Sequence, residues 1–355
     1  MKLILNCQSG AVDASPRRLL RAALPCVALP IVFACSSDEI EAPPQQTEGT
    51  LTVDASTGWA FASIADERVV SVTDPATSAD WDLGFNATRV MLNGGAAGPS
   101  GVLGYCICQN AGASDAEIVA MTGEAELADF DAVGEADIPA EASFESEVLQ
   151  TAVDGWYSGT GAGAVAETDR AWLLRLQDGA SYAKLRVTVL AGPTDTHAGQ
   201  VTIEYALQPT AEAAFEPTQT VTLDASSVDS LDLNTGSTAP AGGEWDLSLD
   251  GFTLRLNSGV SGSGAAGATP SPEPFAAVTT AAVDSRAYQS DGFAGVFGTH
   301  PWYRYNLTGE NIIHPTFDVY LVKRGADVYK VQLIDYYSPA GAPRNISFRY
   351  AKLAE

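Results

Sequence analysis

Short apolar runs, broken by Gly, Asp and Pro, recur along most of the chain. Ala171 to Leu176, Tyr182 to Leu190 and Gln200 to Leu207 read as successive strands. Each is rich in β-branched and aromatic residues, which pack well on a half-buried pleated surface. The same meander returns as Phe317 to Lys323, Val328 to Tyr337 and Asn345 to Ala351. Arg255-Leu256 runs into Asn257-Ser258-Gly259, where Asn closes a turn and Gly is free to take positive φ. Short peripheral helices are expected within 115–128 and 144–153. The pattern predicts a mainly β, antiparallel protein.

The chain also repeats itself, which organises the rest of the reading. Thr52-Val53-Asp54-Ala55-Ser56 returns as Thr222-Leu223-Asp224-Ala225-Ser226, and Asp80-Trp81-Asp82-Leu83 as Glu244-Trp245-Asp246-Leu247. Asn93-Gly94-Gly95 is matched by Asn257-Ser258-Gly259, Trp156-Tyr157 by Trp302-Tyr303, and Tyr182-Ala183-Lys184 by Tyr329-Lys330. Two homologous modules are expected, over residues 50–209 and 218–355, with a boundary near Pro209–Pro217. Trp81 and Trp245 are expected in their cores.

At 355 residues the length suits two such domains. The formal charge of −25 argues against a nucleic-acid partner, because phosphate binding draws on Lys and Arg. No G-x-S-x-G, H-E-x-x-H or recognisable Ser/His/Asp set is present, so the chain is not expected to be an enzyme.

Residues 1–34 read as a signal peptide. Arg17, Arg18 and Arg21 precede an apolar run from Leu24 to Ala34 that is too short to span a bilayer. Val32-Phe33-Ala34-Cys35 resembles a bacterial lipobox, which makes Cys35 the expected lipidation site. Residues 35–49, polar and Pro-containing, read as a lipidated tether. The membrane would be reached through that anchor only, at the outer membrane or cell surface.

Two cysteines remain, in Tyr105-Cys106-Ile107-Cys108. They read as a local disulfide closing a very small ring, as two partly buried thiols, or as a redox or metal site. The last needs further ligands, and His197, His300 and His314 lie far along the chain.

The ordered motifs are similar to those of the HmuY family of heme-binding bacterial surface lipoproteins. The second copy carries Trp245-Asp246-Leu247, Asn257, Trp302-Tyr303-Arg304-Tyr305, Pro315, Val319-Tyr320, Tyr329-Lys330, Asp335-Tyr336-Tyr337 and Ser347-Phe348-Arg349-Tyr350. The first keeps Trp81-Asp82-Leu83, Asn93-Gly94-Gly95, Trp156-Tyr157 and Tyr182-Ala183-Lys184, and lacks the D-Y-Y element. Members usually contain one module, so the tandem arrangement departs from the family.

The resemblance implies two antiparallel β-rich modules, heme as cofactor with axial ligands near the W-Y-x-Y loops, and delivery to a TonB-dependent outer-membrane receptor. On that reading His300 and His314, which bracket the motif, are the candidate iron ligands, and Trp302, Tyr303 and Tyr305 the candidate ring contacts. The recurrence of Trp-Tyr in a copy without nearby His points to packing first. Met91 and Met121 are candidate thioether ligands in the first copy, but a Met in such a strand is more often core, and His197 reads as a turn residue. The alternative is a surface binding module that has kept this fold and lost heme.

Overall fold

The connection between the two sequence copies decides how they assemble. Strand Gln200–Gln208 closes the first copy and strand Gln219–Asp224 opens the second. The two pair antiparallel from Gln200↔Asp224 to Tyr205↔Gln219. A connection this short makes the local hairpin cheap in loop-closure entropy. The opening strand of the chain, Glu48–Asp54, pairs instead with the closing strand Pro343–Ala354, in register from Glu48↔Ala351 to Asp54↔Asn345.

The computed structural model describes residues 48–238 and 244–354; the expected signal peptide, Cys35 and most of the tether lie outside them. Among the described residues no helix is long and apolar enough to cross a membrane. The structure is mainly β, and every strand pair named here is antiparallel.

One five-stranded sheet runs Glu48–Asp54, Pro343–Ala354, Asp327–Tyr337, Val319–Arg324, Leu103–Cys106. The other runs Gln219–Asp224, Gln200–Gln208, Tyr182–Ala191, Trp172–Arg175, Gly267–Pro270. Position for position these are equivalent strands, yet each sheet takes strands from both copies. A four-stranded sheet over residues 60–92 shares a core with the first. A three-stranded sheet over residues 229–256 does so with the second.

The compact bodies are therefore a split lobe, built from residues 48–106 and 296–354, and an inserted lobe drawn from residues 153–268. These bodies do not follow the expected boundaries 50–209 and 218–355, because each five-stranded sheet takes strands from both sides of residues 209–218. The described residues form one compact unit.

Matching hydrogen bonds recur in the two lobes. Asn93 donates through Nδ2 to Trp81 O at 2.8 Å, and Asn257 to Trp245 O at 2.9 Å. Gly95 and Gly259 take φ of 56° and 62°, and a Cβ on either would strike the backbone of Glu147 or Asp291. The stretch 144–153, read as helical, instead holds strand Val148–Gln150, paired with Gly292–Ala294. These two strands lie where the chain crosses between lobes, and the ladder they form with each other prevails over local helix propensity. The helices expected within 115–128 are Asp115–Ala120, capped by Ser114, and Leu127–Ala132, which extends beyond that stretch.

Trp81 is fully buried, whereas Trp245 is only partly so. In the split lobe Phe61, Gly84 and Met91 form a cross-strand row, and Phe61 and Met91 share Trp81's apolar cluster. The equivalent row in the inserted lobe is Ser230, Ser248 and Arg255, which offers no such bed. Met91 is thus core, as expected.

Candidate functional site

The W-Y-x-Y motif begins as the chain leaves the short helix Val296–Thr299. His300 is its C-cap, donating its N–H to Val296 O at 2.8 Å. Its carbonyl accepts from the Tyr320 hydroxyl at 2.8 Å, which fixes the backbone and leaves the imidazole free to face outward. The ring is about 43% exposed, with Nε2 3.9 Å from Glu145 Oε1. Glu145 is held in turn by the Thr299 hydroxyl at 2.8 Å.

His300 opens onto a cleft of about 260 Å³ that is also walled by Cys108, Asn110, Tyr303, Arg304, Thr316 and Asp318. Asp318 accepts the Asn110 N–H at 2.9 Å, and burial pushes its carboxyl above the usual range. Arg304 pairs with Asp115 at 2.9 Å. Cys106 and Cys108 form a disulfide, one of the readings open from sequence. Their sulfurs and a His300 ring nitrogen lie within 4.8 Å of one another.

The remaining predicted site residues divide by burial. Trp302 is 2% exposed; its ring sits in the split-lobe core and its Nε1–H donates to Thr88 O at 2.9 Å. It has no free face for a ligand, which agrees with packing as its first role. Tyr303 stacks edge-on against it and reaches the cleft wall. Tyr305 is exposed and donates its hydroxyl to Asn311 Oδ1 at 2.8 Å.

His314 lies in the ribbon Tyr303–Tyr305/Ile313–Pro315, directly opposite Arg304. It does not line the cleft, so the structure does not bring it to the wall that His300 occupies. Its Nε2 is buried without a hydrogen-bond partner. His197 sits in a turn, its Nδ1 accepting from Gly199 N–H at 3.1 Å.

The inserted lobe has a cleft in the equivalent place, about 350 Å³, walled by Asp154, Asp169, Arg170, Trp172 and residues 270–274. Strand register and the Trp-Tyr repeat set Asp154 at the position of His300, Pro270 at that of Cys106 and Pro272 at that of Cys108. A third cleft, about 410 Å³, lies at the crossover beside Arg89, Gln150, Ser290 and Phe293. The approach of Cys108 to His300, and the parts played by Arg304 and Asp318, went unread in the sequence. No local spacing signals contacts made by sheet topology across nearly two hundred residues.

Residues 55–205 match the family model described as HmuY protein. Two solved structures are similar to the chain. One, described as a candidate HmuY-like heme-binding protein from Bacteroides vulgatus, is 12% identical with a TM-score of 0.34, over 88% of this chain and 94% of that one. The other, described as a candidate lipoprotein from Bacteroides fragilis, is 13% identical with a TM-score of 0.31, over 85% and 89%. Among curated proteins none matches.

Proposed function

We propose, from the match of residues 55–205 to the family model described as HmuY protein, that the chain is a non-enzymatic surface protein that binds heme and hands it to a TonB-dependent outer-membrane receptor. It would be held to the membrane by a lipid on Cys35. The observation that carries the reading is the pair of imidazoles at the W-Y-x-Y ribbon. His300 is exposed on the cleft, and His314 keeps a buried Nε2 with no partner. Buried polar atoms are normally satisfied, so an orphan nitrogen beside a binding loop suits a metal ligand. Imidazole is a good iron ligand, and heme would supply the iron centre that both rings hold. Tyr303 offers a ring edge and Arg304 a positive charge for an anionic substituent. The cleft, at about 260 Å³, lies below the usual range of roughly 300–1,000 Å³ for ligand pockets. Binding through both rings therefore requires the cleft to widen on the side of the ribbon Tyr303–Tyr305/Ile313–Pro315, where His314 lies.

Titrating the full chain with hemin tests this. A saturable, shifted Soret band with a low-spin bis-His spectrum is expected, lost in the His300→Ala, His314→Ala double variant. A low-spin spectrum that survives in the double variant moves the ligands elsewhere. A spectrum that stays that of free hemin favours the second reading, a binding module without heme, which the small cleft supports. For the anchor, Cys35→Ala should abolish incorporation of labelled palmitate, and a Cys35→Ala protein that still takes up label would refute lipidation at this residue.

A further inference from the structure

We propose that Cys106, Cys108 and His300 form a thiol-gated site for a borderline divalent cation such as Zn²⁺, closed while the disulfide stands and opened by its reduction. This inference does not rest on the heme reading and competes with it for His300.

Three observations carry it. First, the three donor atoms already lie within 4.8 Å of one another. A tetrahedral zinc with Zn–S near 2.3 Å and Zn–N near 2.0 Å separates its ligand atoms by roughly 3.5–4 Å. Parting the two sulfurs after reduction is thus the main adjustment required. Second, backbone hydrogen bonds through both the N–H and the carbonyl of His300 hold the residue at the cleft mouth, and its Nε2 lies 3.9 Å from Glu145 Oε1. A carboxylate beside a ligating His is a common orienting partner in zinc sites. Third, the fold does not need these residues. The inserted lobe builds the same sheet edge and cleft with Pro270, Pro272 and Asp154 in the three positions, none of them a thiol or imidazole. The donor set is thus an addition to one lobe, and Cys108 adopts a left-handed φ of 56°, a conformation few non-Gly residues take up.

Access and chemistry agree. Cys106 is buried, Cys108 half-buried and His300 exposed, so the triad is reached from the cleft mouth. Three protein ligands leave a fourth position for water or a small ligand from the cleft. In the gating step a dithiol or phosphine supplies two electrons. The S–S bond breaks, each sulfur gains a proton, and the reductant becomes a cyclic disulfide or, with one water, a phosphine oxide. Cation binding then releases both thiol protons, leaving two thiolates and one neutral imidazole on the metal.

The test uses Co²⁺ as probe on the full chain carrying Cys7→Ser, Cys26→Ser and Cys35→Ser, so that only two thiols remain. After phosphine reduction, one equivalent of Co²⁺ should produce thiolate-to-cobalt charge-transfer absorption and the intense visible bands of tetrahedral cobalt. About two protons should be released, and the oxidised chain should show neither band. His300→Ala, at an exposed position, should keep the fold and weaken binding tenfold or more, while Cys108→Ser should abolish the charge-transfer band. Absence of that band from the reduced chain would overturn the site, as would equal binding by reduced and oxidised chains. Unchanged affinity in His300→Ala would remove His300 from it.

Discussion

Glu147 shows what a single side chain contributes at the crossover. It is 2% exposed; Oε1 accepts the Leu92 N–H at 3.0 Å, and Oε2 is buried without a partner. Burial, aided by the nearby Glu145, pushes its pKa from 4.5 up to about 7. Asp291 stands in the equivalent place, accepting the Leu256 N–H at 2.9 Å. Between pH 4.5 and 7 the folded chain holds a proton on Glu147 that the unfolded chain has lost. Stability from this group is therefore full below that window and falls as pH rises through it, by about 1.4 kcal/mol per unit and about 3 kcal/mol in all. Glu147→Gln, neutral at every pH, should match the wild type most closely near pH 4.5 and exceed it near pH 8. Urea midpoints at the two pH values check this, and a gap that does not widen with pH would mean the carboxyl is ionised in the fold. Asp246, pushed from 3.8 up to about 6 by burial, adds a slope of the same sign over that lower window.

At the scale of elements, the two lysines of the repeated Tyr-Lys motifs are structural. Lys330 donates to the carbonyls of Phe130 and Val133 at 2.9 and 3.1 Å, satisfying the end of helix Leu127–Ala132. Lys184 does the same for Phe275 and Val278, at 3.0 and 3.1 Å. Each lysine thus ties a strand of one sequence copy to a segment of the other. Lys330→Met keeps most of the apolar stem, strands the Val133 carbonyl and leaves Phe130 O with only the Val133 N–H, so a loss of about 1–3 kcal/mol is expected by chemical denaturation. Faster amide exchange should appear over residues 127–133 in particular; a loss below about 0.5 kcal/mol would mean that water replaces the lysine at both carbonyls. The recurrence of these motifs made the strands legible, since Tyr182–Ala191, Gln200–Gln208 and Asp327–Tyr337 fall where the alternation predicts them. Their roles were less legible, because a strand lysine in a sequence carries no sign of the carbonyls it will meet. Trp245 is only partly buried for a similar reason: the row equivalent to Phe61, Gly84 and Met91 is Ser230, Ser248 and Arg255, residues brought side by side only once the sheet forms.

For the whole molecule, the repeat was legible and its partner choice was not. Each expected copy has a first and a last strand of its own, and the motifs they share come in the same order. What decides between self-pairing and exchange is chain length: the short connection around Pro209–Pro217 commits Gln219–Asp224 to Gln200–Gln208 and leaves Glu48–Asp54 to find Pro343–Ala354. The exchange makes a prediction about fragments. A cut at the sequence boundary, giving 48–209 and 218–354, splits both lobes. Each fragment then holds three strands of one five-stranded sheet and two of the other, and leaves unpaired edges beside an open core, which favours association. The segment 153–290 instead contains all five strands of the inserted sheet and the three packed on it. Expressed alone, 153–290 should be a folded monomer with a cooperative thermal transition. The fragments 48–209 and 218–354 should fold poorly apart and recover native-like circular dichroism as a 1:1 complex when mixed. Two stable monomeric fragments from the cut at 209 would show instead that each copy closes on itself, and the exchanged pairing would have to be given up.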